Sequence, residues 1–156
     1  CFMGIGQGDV LATPMQVARM TAAVANGGRL LTPQVADAVI TPDGQVTETF
    51  APEWSTVDVD PKWLAVIREG MRQSVAGGAG ALASRAGVQI AGKTGTAEFF
   101  DKDGTKRQHA WFTGFAPFDN PRYVVTVYFD YGVGGNKAAP VAGDIFQYML
   151  EEGFFE

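Results

Sequence analysis

The segment Ala91–Glu98 brings together the residue types of this chain that could do chemistry. Within it, an ammonium group, two hydroxyls and a residue without a Cβ stand side by side as Lys93, Thr94, Gly95 and Thr96. In an extended strand Lys93 and Gly95 would share one face, with the two threonines on the other. At a sheet edge, however, the backbone can pair with an extended ligand, while the ammonium and the hydroxyls bind a carboxylate. The segment therefore predicts a site for the anionic end of a peptide.

The Lys-Thr-Gly triplet is also an element of serine acyl-transfer enzymes, which use it together with Ser-x-x-Lys and Ser-x-Asn motifs. Taken in isolation, such a triplet is more often an exposed strand with solvated Lys and Thr side chains. The serines of the chain are Ser55, Ser74 and Ser84, and none of them begins either motif. No acylation site is therefore expected in this sequence, and the chain by itself is expected to be inactive.

Two other polar residues near the segment have plainer interpretations. His109 is the only histidine, and a lone histidine in a strand is more often a packing or hydrogen-bonding residue than a general base. Glu98 is expected to be a solvated carboxylate at the strand end. With Cys1 as the only cysteine, the sequence offers no ligand cluster, and we expect neither a metal nor a cofactor.

The composition is that of an ordinary folded protein. Apolar residues make up 46% of the 156 residues and charged residues 19%. The net charge of -5, with no cluster of Lys and Arg, argues against nucleic acid as a partner. No apolar run is long enough to cross a membrane, and no stretch has the order of a signal peptide. The length fits a single domain or a piece of a larger one.

The chain opens at Cys1 rather than at a methionine, which indicates a processed or excised segment. A leading cysteine could be the lipid-attachment residue of a lipoprotein. Accidental exposure of Cys1 by cutting is the favoured interpretation, and a preceding segment is expected.

Capping residues predict two helices in the first half of the chain. The first begins after Thr13, with Pro14 at the first helical position and a capping box, and ends at Gly27–Gly28. The second begins after Asp60 and ends at Gly77–Gly78. The residues predicted to face the core are Val17, Met20 and Val24 in the first helix and Leu64, Ile67, Met71 and Val75 in the second.

Turn residues organise the segments around the second helix. Before it, Val35–Ile40 and Gln45–Phe50 are predicted to form a hairpin across Pro42-Asp43-Gly44. After it, the Gly- and Ala-rich stretch Gly77–Gly87 is predicted to be a loop or a close backbone approach.

The remainder predicts an antiparallel meander followed by a helix. Its strands are Val88–Phe99, His109–Ala116 and Arg122–Asp130, joined by short polar turns. A Gly-rich connector, Tyr131–Lys137, leads to a helix near Pro140–Leu150. That helix is expected to lie on the meander through Val141, Ile145 and Met149. Sheet and core packing is expected of Trp111, Phe112, Phe115, Tyr123, Tyr128 and Phe129. The predicted fold class is α+β.

Four segments, in order, resemble the class B penicillin-binding proteins, particularly the elongation-type branch similar to penicillin-binding protein 2. The first is Gly4–Gln16, GIGQGDVLATPMQ, which leads into a helix closing with Ala25-Asn26-Gly27-Gly28. The others are the KTGTA strand, HAWFTGFAP from His109, and APVA from Ala139. Together they cover most of the chain, and that combination is far more specific than any segment alone.

The resemblance implies that residues 1–156 are the C-terminal part of a single transpeptidase domain with the fold of penicillin-binding proteins and serine β-lactamases. Lys93, Thr94 and Thr96 would bind the carboxylate of a D-Ala-D-Ala stem peptide or of a β-lactam. Gly95 would admit the ligand backbone. Lys93 and Thr96 would serve catalysis, with the backbone N–H of Thr96 as one donor of the oxyanion hole.

The resemblance further implies that the serine motifs lie upstream, in the helical half of the same domain. The whole protein would crosslink peptidoglycan on the periplasmic face of the bacterial inner membrane, held by an N-terminal transmembrane helix. The cell-wall elongation machinery would be a possible partner. Two alternatives stay open. One is a penicillin-recognising hydrolase, either a carboxypeptidase or a β-lactamase. The other is a non-catalytic β-lactam sensor or interaction module.

Overall fold

The computed structural model describes Gly8, residues 10–131 and residues 136–156. Its helices are α1 (Pro14–Ala25), α2 (Pro61–Gly77) and α3 (Ala138–Glu151). Its strands are β1 (Arg29–Leu31), β2 (Ala38–Ile40), β3 (Val46–Thr49), β4 (Trp54–Thr56), β5 (Ala91–Phe100), β6 (Lys106–Ala116) and β7 (Tyr123–Phe129). Residues 4–7 and 9 of the predicted segment Gly4–Gln16, and residues 132–135 of the connector Tyr131–Lys137, lie outside the described residues.

The last three strands form the predicted antiparallel meander, in the order β5-β6-β7. The turn between β5 and β6 contains Asp103-Gly104, where Gly104 has a φ of +79° that favours glycine. The sequence therefore predicted all three strands, although β5 begins three residues later than predicted, at Ala91, and β6 three residues earlier, at Lys106. Helices and an antiparallel sheet together confirm the α+β class.

The part of the chain between α1 and α2 forms two small two-stranded sheets. The predicted hairpin is present as β2 and β3, with Gly44 at a φ of +86° in its turn. The pairing of β1 with β4 was not predicted. Each of those strands has three residues, which is too short for an alternating pattern to be recognised.

Both helix starts were predicted correctly because they depend on local residues. The Thr13 hydroxyl accepts a hydrogen bond from the backbone N–H of Gln16, whose side chain accepts one from the N–H of Thr13. Asp60 caps α2 in the same way, accepting from the N–H of Lys62 at 2.9 Å. None of the helices in the described ranges has both the length and the apolar character required to cross a bilayer.

The core lies on both faces of the meander. On one face, α3 packs against β6 and β7, and the buried rings of Phe112 and Phe146 lie in that cluster. On the other face, Phe115 packs with Ala25 from α1 and Met71 from α2. The sheet therefore separates α3 from α1 and holds β5 between the two clusters.

The predicted contact face of α3 was correct for Met149, which packs against the core cluster, and wrong for Val141 and Ile145. Val141 and Ile145 are each 38% exposed, and the buried residues are Ala139, Ala142 and Phe146, with Gly143 beside them. Small residues allow the helix to approach the sheet closely, so they occupy the interface that larger side chains would hold apart.

Two core predictions for the first helices were also wrong. Met20 is 57% exposed and Ile67 is 46% exposed, whereas Leu64, Met71 and Val75 are buried as predicted. The buried face of α1 consists of small residues and includes the hydroxyl side chain of Thr21. A hydrophobic stripe alone therefore did not identify the contact face of α1.

Candidate functional site

The segment Lys93–Thr96 lies on β5, which is an edge strand of the meander within the described residues. Lys93 and Thr96 are exposed, and Thr94 and Gly95 are half-buried. The prediction that this segment lies in a strand at a sheet edge agrees with the structure. An edge of this kind offers backbone donors and acceptors to an extended ligand.

Glycines hold β5 close to β6. A Cβ at Gly92 would lie 2.3 Å from Cζ of Phe112, and one at Gly114 would lie 2.7 Å from the carbonyl oxygen of Ala91. At Gly95 a Cβ would be 3.2 Å from Cβ of Trp111. The missing side chains therefore let the two strands pack closely along the segment Lys93–Thr96.

The ammonium of Lys93 lies at the strand backbone. Its Nζ donates a hydrogen bond to the carbonyl oxygen of Thr94 at 2.6 Å. In the register of the sheet, Lys93 stands opposite Thr113 of β6, so the two residues share the face that α1 covers. Because Lys93 is exposed, its remaining N–H donors are accessible to a carboxylate.

Three threonine hydroxyls connect α1 to the strands β6 and β7, on the same face of the sheet as Lys93. The Thr21 hydroxyl donates to the carbonyl oxygen of Val17 at 2.9 Å and lies 2.8 Å from the hydroxyl of Thr113. The Thr113 hydroxyl lies 2.8 Å from that of Thr126 on β7. This hydroxyl cluster was not predicted from the sequence. The signal was present as threonines at paired positions of β6 and β7, but it requires the register to be known.

His109 belongs to a polar and aromatic network at the far end of the same face. Its Nδ1 lies 2.6 Å from the carbonyl oxygen of Asp130 and 3.0 Å from the Tyr128 hydroxyl. Because a carbonyl oxygen only accepts hydrogen bonds, Nδ1 carries the proton. The ring stacks on Phe99 with centroids 4.1 Å apart. The interpretation of His109 as a packing and hydrogen-bonding residue agrees with these contacts.

Burial raises the pKa of the Tyr128 hydroxyl to about 12, and the hydrogen bond that it donates to Asp130 contributes in the same direction. Tyr128 is therefore a neutral donor at physiological pH. The aromatic network also includes Trp111, whose ring centroid lies 4.4 Å from that of Tyr128. Trp111 thus connects the network to the strand position opposite Gly95.

The prediction that Glu98 is simply solvated was incomplete. Its carboxylate forms a cross-strand ion pair with Lys106 at 2.8 Å and accepts a hydrogen bond from Gln108 at 3.2 Å. The contact with Lys106, followed by that with Gln108, lowers the pKa of Glu98. Glu98 therefore contributes a cross-strand contact to the β5–β6 hairpin and remains ionised at neutral pH.

The serines lie on other elements than β5. Ser55 is on β4, Ser74 is in α2, and Ser84 follows the 3₁₀ turn Ala81–Ala83. Across the residues that the structure describes, no group of three or more His, Cys, Asp or Glu side chains could hold a metal ion. What β5 offers is an open strand edge, an ammonium and hydroxyls, which suits binding of an anionic peptide.

Comparison with known proteins identifies what the chain is similar to. Residues 2–147 match the family described as the penicillin binding protein transpeptidase domain. Over 96% of its length, the chain is 38% identical to the peptidoglycan D,D-transpeptidase MrdA of Haemophilus influenzae. It is 36% identical, also over 96% of its length, to the peptidoglycan D,D-transpeptidase PbpA of Mycolicibacterium smegmatis.

A solved structure gives the same result for the fold. The imipenem acyl-enzyme complex of penicillin-binding protein A from M. tuberculosis superposes with a TM-score of 0.79 at 36% identity, covering 94% of this chain and 32% of that one. The chain spans only part of the curated relatives that it matches, 25% of the Haemophilus protein and 31% of the Mycolicibacterium protein.

Proposed function

Because the chain belongs to the penicillin-binding protein transpeptidase family, we propose that it is the C-terminal part of a peptidoglycan D,D-transpeptidase domain. In the complete protein, a serine outside this sequence would attack the D-Ala-D-Ala bond of a stem peptide, and an amine would then accept the acyl group. The observation that carries the proposal is the open edge of β5 with Lys93 and Gly95 in its centre. β-Lactams are the expected inhibitors, since a homologous structure is an imipenem acyl-enzyme.

We assign the roles on β5 from chemistry and position. Lys93 supplies a positive charge for the substrate carboxylate, and Thr94 and Thr96 supply hydroxyl donors. Gly95 allows the substrate backbone to approach the strand, because there is no Cβ on either face. The backbone N–H of Thr96 is one donor of the oxyanion hole, which stabilises the tetrahedral intermediate. Lys93 and Thr96 are therefore the proposed catalytic residues of this chain.

The other half of the site is proposed to be the upstream half of the same domain. Leu11, Met15 and Met20 are 93%, 60% and 57% exposed and lie on or just before α1. Apolar side chains exposed in this way are typical of a surface that another segment covers. The length of the relatives leaves room for such a segment.

The proposed location follows from the substrate. Peptidoglycan lies outside the cytoplasmic membrane, so the complete protein would act at the cell envelope, on the periplasmic side, and an upstream membrane anchor would keep it there. The cell-wall elongation machinery is the proposed partner, because the four segments of the sequence resemble the elongation-type branch of the family.

The proposal is tested by incubating the complete protein with fluorescent penicillin and, separately, with a D-Ala-D-Ala donor peptide and an acceptor amine. A covalent label together with a crosslinked product is the expected result. Release of D-Ala without a crosslink would instead identify a carboxypeptidase, and rapid turnover of the penicillin a β-lactamase. A persistent label with neither reaction would identify a β-lactam sensor, and absence of any label would refute a penicillin-binding function.

A further inference from the structure

The hydroxyls of Thr21, Thr113 and Thr126 form a hydrogen-bonded relay with a fixed direction. The carbonyl oxygen of Val17 can only accept a hydrogen bond, so the Thr21 hydroxyl donates its one hydrogen to that oxygen. Thr21 must then accept from Thr113. Thr113 in turn has no second proton and accepts from Thr126. The direction of donation therefore runs from β7 through β6 to α1.

The relay is sheltered from water at its helical end. Thr21 is 1% exposed, and Thr113 and Thr126 are half-buried. A buried hydroxyl that loses its partner leaves an unsatisfied polar group in a water-poor environment. The buried hydroxyl of Thr21 therefore depends on its partners, and these hydrogen bonds favour the position of α1 that satisfies it.

The relay lies in the row of the sheet that contains Lys93. Lys93 pairs with Thr113, and Thr113 pairs with Thr126, so the three residues stand side by side on one face. The helix that bonds to Thr113 is therefore fixed against the strand position next to the ammonium. A shift of β6 relative to α1 would also move β5, which pairs with β6, and Lys93 with it.

We propose that Thr113, acting with Thr21 and Thr126, is a positioning residue for Lys93 in the acyl-transfer site. This inference rests on the proposed function. The hydroxyl relay would not contact the substrate. It would hold β6, and through β6 the edge strand β5, in the position relative to α1 that the site requires. Thr113 would therefore affect the rate of acylation rather than the ability of the protein to fold.

The proposal is tested with the complete protein by substituting Thr113→Val, which keeps the side-chain shape and removes the hydroxyl. Fluorescent penicillin gives two readouts, the fraction of molecules that become labelled and the rate constant of labelling. A positioning role predicts full labelling at a rate lower by on the order of tenfold, because small misplacements in an active site are costly. Thr113→Ser, which restores the hydroxyl, should recover most of the rate.

The matched control is Thr47→Val on β3; the Thr47 hydroxyl donates to a backbone carbonyl, that of Val39 at 3.1 Å, as the Thr21 hydroxyl does to that of Val17. It should label like the wild type. Thr21→Val removes the same link from the helix side and should reproduce the slow rate, which gives a second test if Thr113→Val does not fold.

Three results would overturn the proposal. A wild-type rate in both valine variants would mean that the relay has no role in the site. A reduced labelled fraction with a wild-type rate would mean that it only stabilises the fold. A slow rate that Thr113→Ser does not recover would mean that the hydroxyl is irrelevant. Absence of labelling in the wild type is a different result, since it would refute the proposed function itself.

Discussion

The backbone of Gly92 lies directly beneath the ring of Phe112, so that a Cβ on Gly92 would be 2.3 Å from the ring atom Cζ. Phe112 is fully buried and belongs to the cluster that α3 closes. The ring therefore cannot move away without disturbing the core. This contact fixes the start of β5 immediately before Lys93, and it links the packing of the core to the geometry of the proposed site.

Gly92→Ala should destabilise the complete protein by about 2–3 kcal/mol, because the added methyl overpacks the core. The matched control is Gly70→Ala in α2, where a Cβ would meet nothing within 4 Å. That substitution should raise the free energy of unfolding by about 0.5–1 kcal/mol, since alanine is the better helix former. Denaturant unfolding of both variants measures the difference, and equal stabilities would contradict the role assigned to Phe112.

Lys93→Ala should slow labelling of the complete protein by penicillin. A hydrogen bond to a charged group is worth about 1.5–3 kcal/mol, which corresponds to roughly ten- to hundredfold in rate. Because Lys93 is exposed, stability should change by less than about 0.5 kcal/mol. Lys102→Ala, in the turn at the end of the same strand, is the control for loss of charge. Unchanged labelling by Lys93→Ala would remove this residue from the site.

Substitutions of Arg85 and Asp144 measure how much their ion pair contributes to the free energy of unfolding. The Asp144 side chain is 74% exposed, so Asp144→Asn should cost less than about 1 kcal/mol. Arg85 also donates to the carbonyl oxygens of Leu82, Ser84 and Pro140. Arg85→Ala should therefore cost about 2–3 kcal/mol. Thermal unfolding would contradict this account if both substitutions had the same effect.

The hydroxyl of Tyr128 should lose its proton at a higher pH than an ordinary tyrosine. Its pKa is raised to about 12 from an ordinary value of 10.0, chiefly by burial. The folded state then holds this proton more tightly than the unfolded state, so the contribution to stability is complete below pH 10 and is lost as the pH rises toward 12. Absorbance at 295 nm, compared between wild type and Tyr128→Phe, measures the titration. A difference midpoint near pH 10 would contradict the assignment.

Elements whose signals are local could be predicted from the sequence. The capping box at Thr13, the cap at Asp60 and the turn glycines Gly44 and Gly104 each act within a few residues, and each is where the sequence placed it. The fold class and the strand that carries Lys93 follow from such signals and from the family resemblance.

Features that depend on contacts distant in sequence could not be predicted. The face of α3 is chosen by how closely Ala142 and Gly143 let the helix approach the sheet, which a stripe of larger residues does not reveal. The partnership of Thr21 with Thr113 spans 92 positions and appears only when the strand register is known. The sequence therefore predicted the strand that carries Lys93 but not the hydroxyl contacts on the neighbouring strand.

The open edge of β5 has a consequence for handling the protein as well as for its chemistry. The outward-facing backbone groups of an edge strand can pair with a strand of another copy, and charged side chains discourage such pairing. Lys93 and Glu98 provide those charges on β5, while Phe100 at its end is 74% exposed. Replacing Lys93 with a neutral residue therefore removes a charge that disfavours self-association through β5. Rates measured for that variant are meaningful only on monodisperse protein, as judged by light scattering.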